Sequence, residues 1–363
     1  LLSEPTAFTL GSIIYAKTRE NKQLIRAGFL SSAPSWNWSR QFRNFHPEWD
    51  GVRFLFSEQI ESCDVLFVYD AVPGNSAFKV RAKHRVFIAS EPSSVKSYLP
   101  SFLNQFDRVL TTDQNTKHLN VVFSQLGLPW LVGAWDSDGK LLDQPLGYSD
   151  FEQFSPAKTK HLSIVTSNKA FTEGHRARLA FADRIKAYFG SDVDVFGRGI
   201  NGFADKLEVL APYRYHIAIE NSTSSNYWTE KLADPFLTLT YPIYHGCPNI
   251  LEYFPAQSVT QINILNPDDA IQKIKKIIDS DEAERALPHL QEARKLVLND
   301  HNLFAILAKL ANELASETIP QDRGRPYRLK PERSFQPRFA KLGNAGKRLS
   351  RRLTKSLTRF FEH

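Results

Sequence analysis

Residues 217–236 read IAIENSTSSNYWTEKLADPF. An apolar, strand-like run ends in Glu220 and Asn221, and Tyr227, Glu230 and Lys231 follow where a helix pattern begins. A helix amino terminus offers unpaired N–H groups and a partial positive charge, which together with a lysine make a cradle for a diphosphate. The carboxylates then suit ribose or sugar hydroxyls. Acids are also common at helix starts and asparagines at turns, so the spacing alone leaves a capped turn and a ligand site both open. Pro235 adds a constraint: it breaks a helix begun at Glu230 unless Asp234 is the cap and Pro235 the first helical residue.

The elements that must position these groups alternate along the chain. In the first 130 residues the strand candidates are FTLGSIIYA, GVRFLFS, CDVLFVYD, RVFIASE and RVLTTD, separated by polar loops and helix-like segments. A second alternation runs through HLSIVTSN, a helix from about Thr172 to Phe189, VDVFGRG, YHIAIENS, YPIYHG and SVTQINIL. Ile271, Ile274 and Ile278 then mark an amphipathic helix, and residues 282–314 read as helical. Near-continuous apolar strands alternating with helices predict parallel sheets covered on both faces. The expected division is an α/β domain over 1–135, a linker over 136–160, a second α/β domain over 161–322 and a tail over 323–363. Two doubly wound, Rossmann-like sheets in tandem place a cleft between the domains, at the carboxyl ends of their strands.

Charge separates the tail from the body. Residues 323–363 hold 13 Lys or Arg against 2 Glu, a net +11, which leaves −4 for residues 1–322 of a chain whose total is +7. A mildly acidic body argues against nucleic-acid binding. In the tail, Leu349, Leu353, Leu357 and Phe360 or Phe361 form an apolar stripe flanked by Lys347, Arg348, Arg351, Arg352, Lys355 and Arg359. That pattern predicts a helix lying on an anionic membrane surface, with a terminal helix docked on the body as the plainer alternative. No apolar run has the length of a membrane span, and Cys63 and Cys247 do not form a disulfide framework. The expected location is cytoplasmic, peripheral on the inner face of the membrane.

AIENSTSSNYWTEKLADPF followed by YPIYHGCPNI resembles the signature of the family 10 α1,3-fucosyltransferases of bacterial type. In that family a strand ending Glu-Asn-Ser precedes Tyr-x-Thr-Glu-Lys and then a Pro-Ile-x-x-Gly strand. Upstream, VTSNKAFTEGHRARLAFADRI and VDVFG resemble the family's Ser-Asn strand end and Arg-x-x-Phe helix. The resemblance implies the two-domain GT-B architecture and transfer of fucose from GDP-fucose, with inversion, to a hydroxyl of a GlcNAc- or Glc-containing cell-surface glycan. It implies that Arg178 and Lys231 neutralise the diphosphate, that Asn221, Tyr227 and Glu230 hold the donor with Glu220 beside them, and that no cofactor or metal is required.

Arg176 competes with Arg178, and the spacing to Phe181 favours Arg178. Inversion needs a base on the acceptor hydroxyl, and the family places one in a Glu-(Ser)-Pro segment. Glu91, before Pro92 at a strand end, is the matching acid, with Asp70 as its rival at the end of CDVLFVYD. Partial burial raises a glutamate toward the pKa of a base, which favours Glu91, with Glu230 as the second catalytic carboxylate. Trp228 stands where the family has a smaller residue and is expected to reshape the sugar pocket, which leaves another GDP-6-deoxyhexose, or a non-catalytic binding module, as alternatives. Trp36, Trp38, Phe42, Phe45 and Trp49 are either an acceptor platform or core. Asp136-Ser137-Asp138 lies in the linker and reads as a turn.

Overall fold

The computed structural model describes residues 24–56, 60–74, 77–92, 95–166, 173–197, 199–318 and 324–336. The expected first strand, FTLGSIIYA, and the amphipathic stripe after residue 337 lie outside the described residues.

The amino-terminal domain is built on β1 (Ile25–Ser31), β2 (Glu48–Trp49), β3 (Val52–Leu55), β4 (Ser62–Tyr69), β5 (Phe78–Ala89), β6 (Arg108–Thr111) and β7 (Val121–Phe123), in the order β2-β3-β1-β4-β5-β6-β7. All pairs but β2 with β3 are parallel. The two-residue period of a strand divides β4 between two cores. Val65 and Phe67 enter a cluster with Phe29, Phe54 and Ile88, while Leu66 and Val68 enter another with Phe87 and Val109. Burial on both faces is why these strands read as continuous apolar runs.

After the short helix α1 (Pro100–Leu103), the chain crosses to the second domain through residues 125–147 and α2 (Tyr148–Gln153). There β8 (Lys160–Val165), β9 (Val193–Phe196), β10 (Tyr213–Ile219), β11 (Tyr241–His245) and β12 (Thr260–Gln261) form a wholly parallel sheet, in the order β12-β11-β10-β8-β9. Its helices are α3 (Glu173–Phe189), α4 (Leu207–Leu210), α5 (Glu230–Leu237), α6 (Pro267–Ile278), α7 (Glu282–Arg285) and α8 (Leu287–Leu298). The expected two-sheet α/β architecture is therefore present, and Ile271, Ile274 and Ile278 are buried as the amphipathic pattern of α6 requires.

The expected boundaries at 322 and 323 need correction. Residues 303–318 and 324–336 return to the amino-terminal domain. Helix α9 (Leu303–Ala315) buries Leu303, Phe304, Leu307 and Ala311 beneath the first sheet, and β13 (Pro326–Leu329) pairs antiparallel with β5. The single helical stretch expected over 282–314 is thus three helices, broken where the chain changes domain. Asn302 makes that break: its Oδ1 accepts from Phe304 N and its Nδ2 donates to Gln41 O in the other domain.

The expected linker is equally committed to packing. Asp205 accepts hydrogen bonds from the backbone N–H groups of Gly133, Ala134 and Trp135, and Asp234 accepts from Leu131 N. Arg40, wholly buried, crosses from the first domain to donate to the carbonyls of Trp130, Val132 and Leu146. Trp36, Trp38 and Phe42 pack around Phe29, Trp135 and Phe304, so most of the aromatic segment is core and not an acceptor platform.

Candidate active site

The turn between β10 and α5 folds as its sequence suggests, with one change of role. Thr229 is the cap of α5, its hydroxyl accepting from Lys231 N at 3.2 Å, and Glu230 is the first helical residue. The helix carries Pro235 in its interior, so Asp234 does not start it. Asp234 is wholly buried and holds Leu131 N and Lys206 Nζ, which explains an acid in that position without any capping role.

Glu220, expected beside the donor-holding groups, is a brace. Its carboxylate accepts from Thr229 N at 2.8 Å and from Thr229 Oγ1 at 2.9 Å, with no side-chain exposure. It thus holds the helix cap instead of facing a ligand hydroxyl. Gly246 is required for the same contact: a Cβ there would meet Tyr244 Oη at 2.3 Å and Glu220 Cγ at 2.5 Å. The glycine of the YPIYHG strand is therefore a close-approach residue.

Arg178 and Arg176 are separated by helix geometry. Arg178 faces inward from α3, and its Nη1 donates to Asn221 Oδ1 at 2.6 Å, whereas Arg176 is exposed. Lys231 Nζ lies 3.0 Å from Glu230 Oε1 and 3.6 Å from Glu220 Oε2. Lys206, unremarked in the sequence, joins them at 3.6 Å from Glu230 and 2.8 Å from Asp234. Nothing in the loop preceding α4 marks it as a functional cation, since only packing brings it to α5.

Two cavities meet at α5. A large one of about 490 Å³ lies within the carboxyl-terminal domain, lined by the end of β8, by β10, α4, Arg178 and Lys206, and its size suits an organic ligand. A small one of about 80 Å³ lies between the domains, lined by Asp70, Glu91, Asn221 and Tyr227. Glu230, Lys231 and Leu131 line both. The structure thus brings together Glu91, Arg178, Asn221, Tyr227, Glu230 and Lys231 across one junction.

The two carboxylates at the junction sit in opposite environments. Burial, reinforced by the Asp70 charge, raises Glu91 to about 7 despite Lys231 and Lys96. Burial also opposes ionisation of Glu230, but Lys231 and Lys206 outweigh it and bring Glu230 to about 2. One acid is poised to exchange a proton near neutrality and the other stays anionic. Asp70, the rival base, is engaged by Lys96 Nζ at 3.0 Å and by the Tyr98 hydroxyl at 2.5 Å, at a backbone φ of +65°. Both bonds fall on Oδ1, which holds residues 96–98 against the end of β4.

Pro92 opens a turn: its carbonyl accepts from Val95 N and Lys96 N, and α1 begins only at Pro100. One further expectation changes. Trp228 does not reach either cavity. It is buried against Phe254 and His301, so its bulk fills core behind α5.

Residues 155–287 match the carboxyl-terminal domain of glycosyltransferase family 10 (fucosyltransferase). This part of the chain is similar to that family's carboxyl-terminal domain. The match spans β8 to α7, and so takes in every element of the large cavity beyond residue 155. Among curated proteins, the chain is 29% identical over 130 residues to the α-(1,3)-fucosyltransferase FucT of Helicobacter pylori, covering 34% of this chain and 26% of that protein. It is 32% identical over 101 residues to GDP-fucose protein O-fucosyltransferase 3 of Danio rerio, covering 28% of this chain and 22% of that one. The chain therefore spans only about a quarter of the length of these relatives. A crystal structure of an α1,3-fucosyltransferase with GDP aligns with 83% of this chain and 93% of its own, at 20% identity and a TM-score of 0.47.

Proposed function

We propose that this chain is an inverting α1,3-fucosyltransferase that moves fucose from GDP-fucose to a hydroxyl of a GlcNAc- or Glc-containing glycan. The observation that carries the reading is the junction itself. A cation-rimmed cavity large enough for a sugar nucleotide shares Glu230 and Lys231 with an interdomain cavity, where Glu91 and Glu230 have opposed proton affinities.

In this reading GDP lies in the large cavity with its diphosphate toward Arg178 and Lys231, and the sugar reaches the junction. The acceptor hydroxyl enters from the small cavity. Glu91 takes its proton as the oxygen bonds to the anomeric carbon from the face opposite the diphosphate. The anomeric C–O bond to phosphate breaks, and GDP leaves with the electron pair, its added charge met by Arg178 and Lys231. Glu230, held anionic, faces the developing positive charge on the sugar or its hydroxyls. The reading requires no metal, because the three cations Arg178, Lys206 and Lys231 already line the cavity.

Release of GDP or UDP from a panel of sugar nucleotides, with and without chelator and with lactose or N-acetyllactosamine, tests this. Acceptor-stimulated release from GDP-fucose, indifferent to chelator, is the expected result. Turnover with another GDP-6-deoxyhexose in its place would move the donor assignment. Saturable GDP binding without any turnover would overturn the catalytic part.

The basic residues beyond 337 are proposed to hold the protein on an anionic membrane face, as the stripe of Leu349, Leu353 and Leu357 among arginines and lysines suggests.

A further inference from the structure

The inner end of the large cavity holds a polar atom that the chemistry above does not use. His216 lies three residues before the end of β10, about 10 Å deeper than Ile219 at roughly 3.3 Å per strand residue. Its ring is 5% exposed and lines the cavity together with Val165, Phe203, Val209 and Leu210.

Its tautomer follows from its partner. Ser163 Oγ has one proton and donates it to Val209 O at 2.8 Å. The same oxygen lies 2.8 Å from His216 Nδ1, so Nδ1 must carry the proton of that second bond. Burial, helped by Lys206, brings the imidazole down to about 3, so the ring is neutral in ordinary conditions. Nε2 is then the acceptor of the ring, beside the apolar side chains of Val165, Phe203, Val209 and Leu210 in the cavity lining. Thr166, which is 2% exposed and lines the same cavity, adds a buried hydroxyl with no partner among the described residues. Buried polar groups of this kind cost free energy unless a ligand satisfies them.

We propose that His216 reads the nucleobase of the donor, its Nε2 accepting from the ring N–H of a guanine-type edge. This rests on the donor reading above, which puts the diphosphate at the outer, cation-lined end of the same cavity and so turns the base inward. A fixed acceptor favours a base presenting a ring N–H and opposes one presenting a ring lone pair, as adenine does at N1. The apolar residues beside it suit the faces of a planar ring.

Calorimetric binding of GDP, ADP and inorganic diphosphate to the full chain and to His216→Phe tests the assignment. The unaltered chain is expected to bind GDP at least tenfold more tightly than ADP. His216→Phe is expected to lose about tenfold in GDP affinity and most of that preference, with diphosphate binding and melting temperature unchanged. A GDP affinity equal to that of the unaltered chain overturns the proposal. A parallel fall for GDP and diphosphate also overturns it, because it marks a merely structural residue. Ser163→Ala leaves the cavity wall in place but releases the tautomer; it should weaken GDP a few-fold without altering diphosphate, and an unchanged GDP/ADP ratio would refute the fixed acceptor. No GDP binding by the unaltered chain, with diphosphate still bound, would overturn the guanine assignment while leaving the cation cradle. Neither ligand binding would show that the donor reading itself fails.

Discussion

Glu91 and Glu230 line one small cavity from opposite domains, and the residues around them set their proton affinities on opposite sides of the ordinary glutamate value. Lys231 and Lys206 make contact with Glu230, whereas the anionic neighbour Asp70 works against ionisation of Glu91. Separation of two carboxylates in this way assigns different tasks to chemically identical groups.

Glu91→Gln should lower turnover by 10²-fold or more, roughly the contribution of a positioned base, with GDP affinity retained. Single-turnover rates and calorimetry on the same preparation check it. Asp70→Asn provides the contrast: if it abolishes turnover and Glu91→Gln does not, the base is Asp70.

The proton balance of Glu91 also sets a pH profile. Only its ionised form accepts a proton, so kcat/KM should rise through a limb centred near 7, set by burial and Asp70. Glu230, near 2, should add no limb above pH 4. An acidic limb near the ordinary glutamate value would contradict this assignment.

Stability should show the reverse sign. The folded chain holds the Glu91 proton more tightly than the unfolded chain, so stability falls as pH rises from the ordinary value of 4.5 to about 7. Glu91→Gln removes that penalty and should be the more stable protein above pH 7, by on the order of 2 kcal/mol, with little difference near pH 4. Urea unfolding at both pH values measures it.

Thr229→Ala should remove both the cap of α5 and the hydroxyl partner of Glu220, leaving the bond from Thr229 N. The expected cost is about 1 to 2 kcal/mol for the cap, with a larger loss where the Glu220 carboxylate is left short of donors. Because Glu230 and Lys231 open this helix, weaker GDP binding should accompany the fall in urea midpoint.

Truncation separates two parts of the tail. A chain ending at 336 keeps β13 on β5 and the bond from Leu99 N to Glu332, and should melt as the full chain does. Ending it at 323 removes both and should lower the melting temperature. Loss of binding to anionic vesicles is expected already in the longer truncate, and vesicle binding equal to the full chain would refute the membrane role of residues 337–363.

The strand, turn and helix from 213 to 237 were legible in the sequence because their signals are local: an apolar run, a cap and a helix start lie within a few residues of one another. The same holds for α3 and α6, whose periodicities are contained in single segments. Which acids would face a ligand was not legible. Glu220 and Glu230 look alike along the chain, but only the folded turn places Thr229 against one and two lysines against the other. Arg176 and Arg178 differ by two residues, and the helical phase relative to Asn221 decides between them. Trp228 reads as a pocket residue until Phe254 and His301, distant in sequence, are seen to enclose it. The return of α9 and β13 to the first domain carries no local mark either, since a helix pattern does not state which sheet it covers. Local order is written in spacing, but the environment of a charge is set by residues brought from far along the chain, and that environment decides its chemistry.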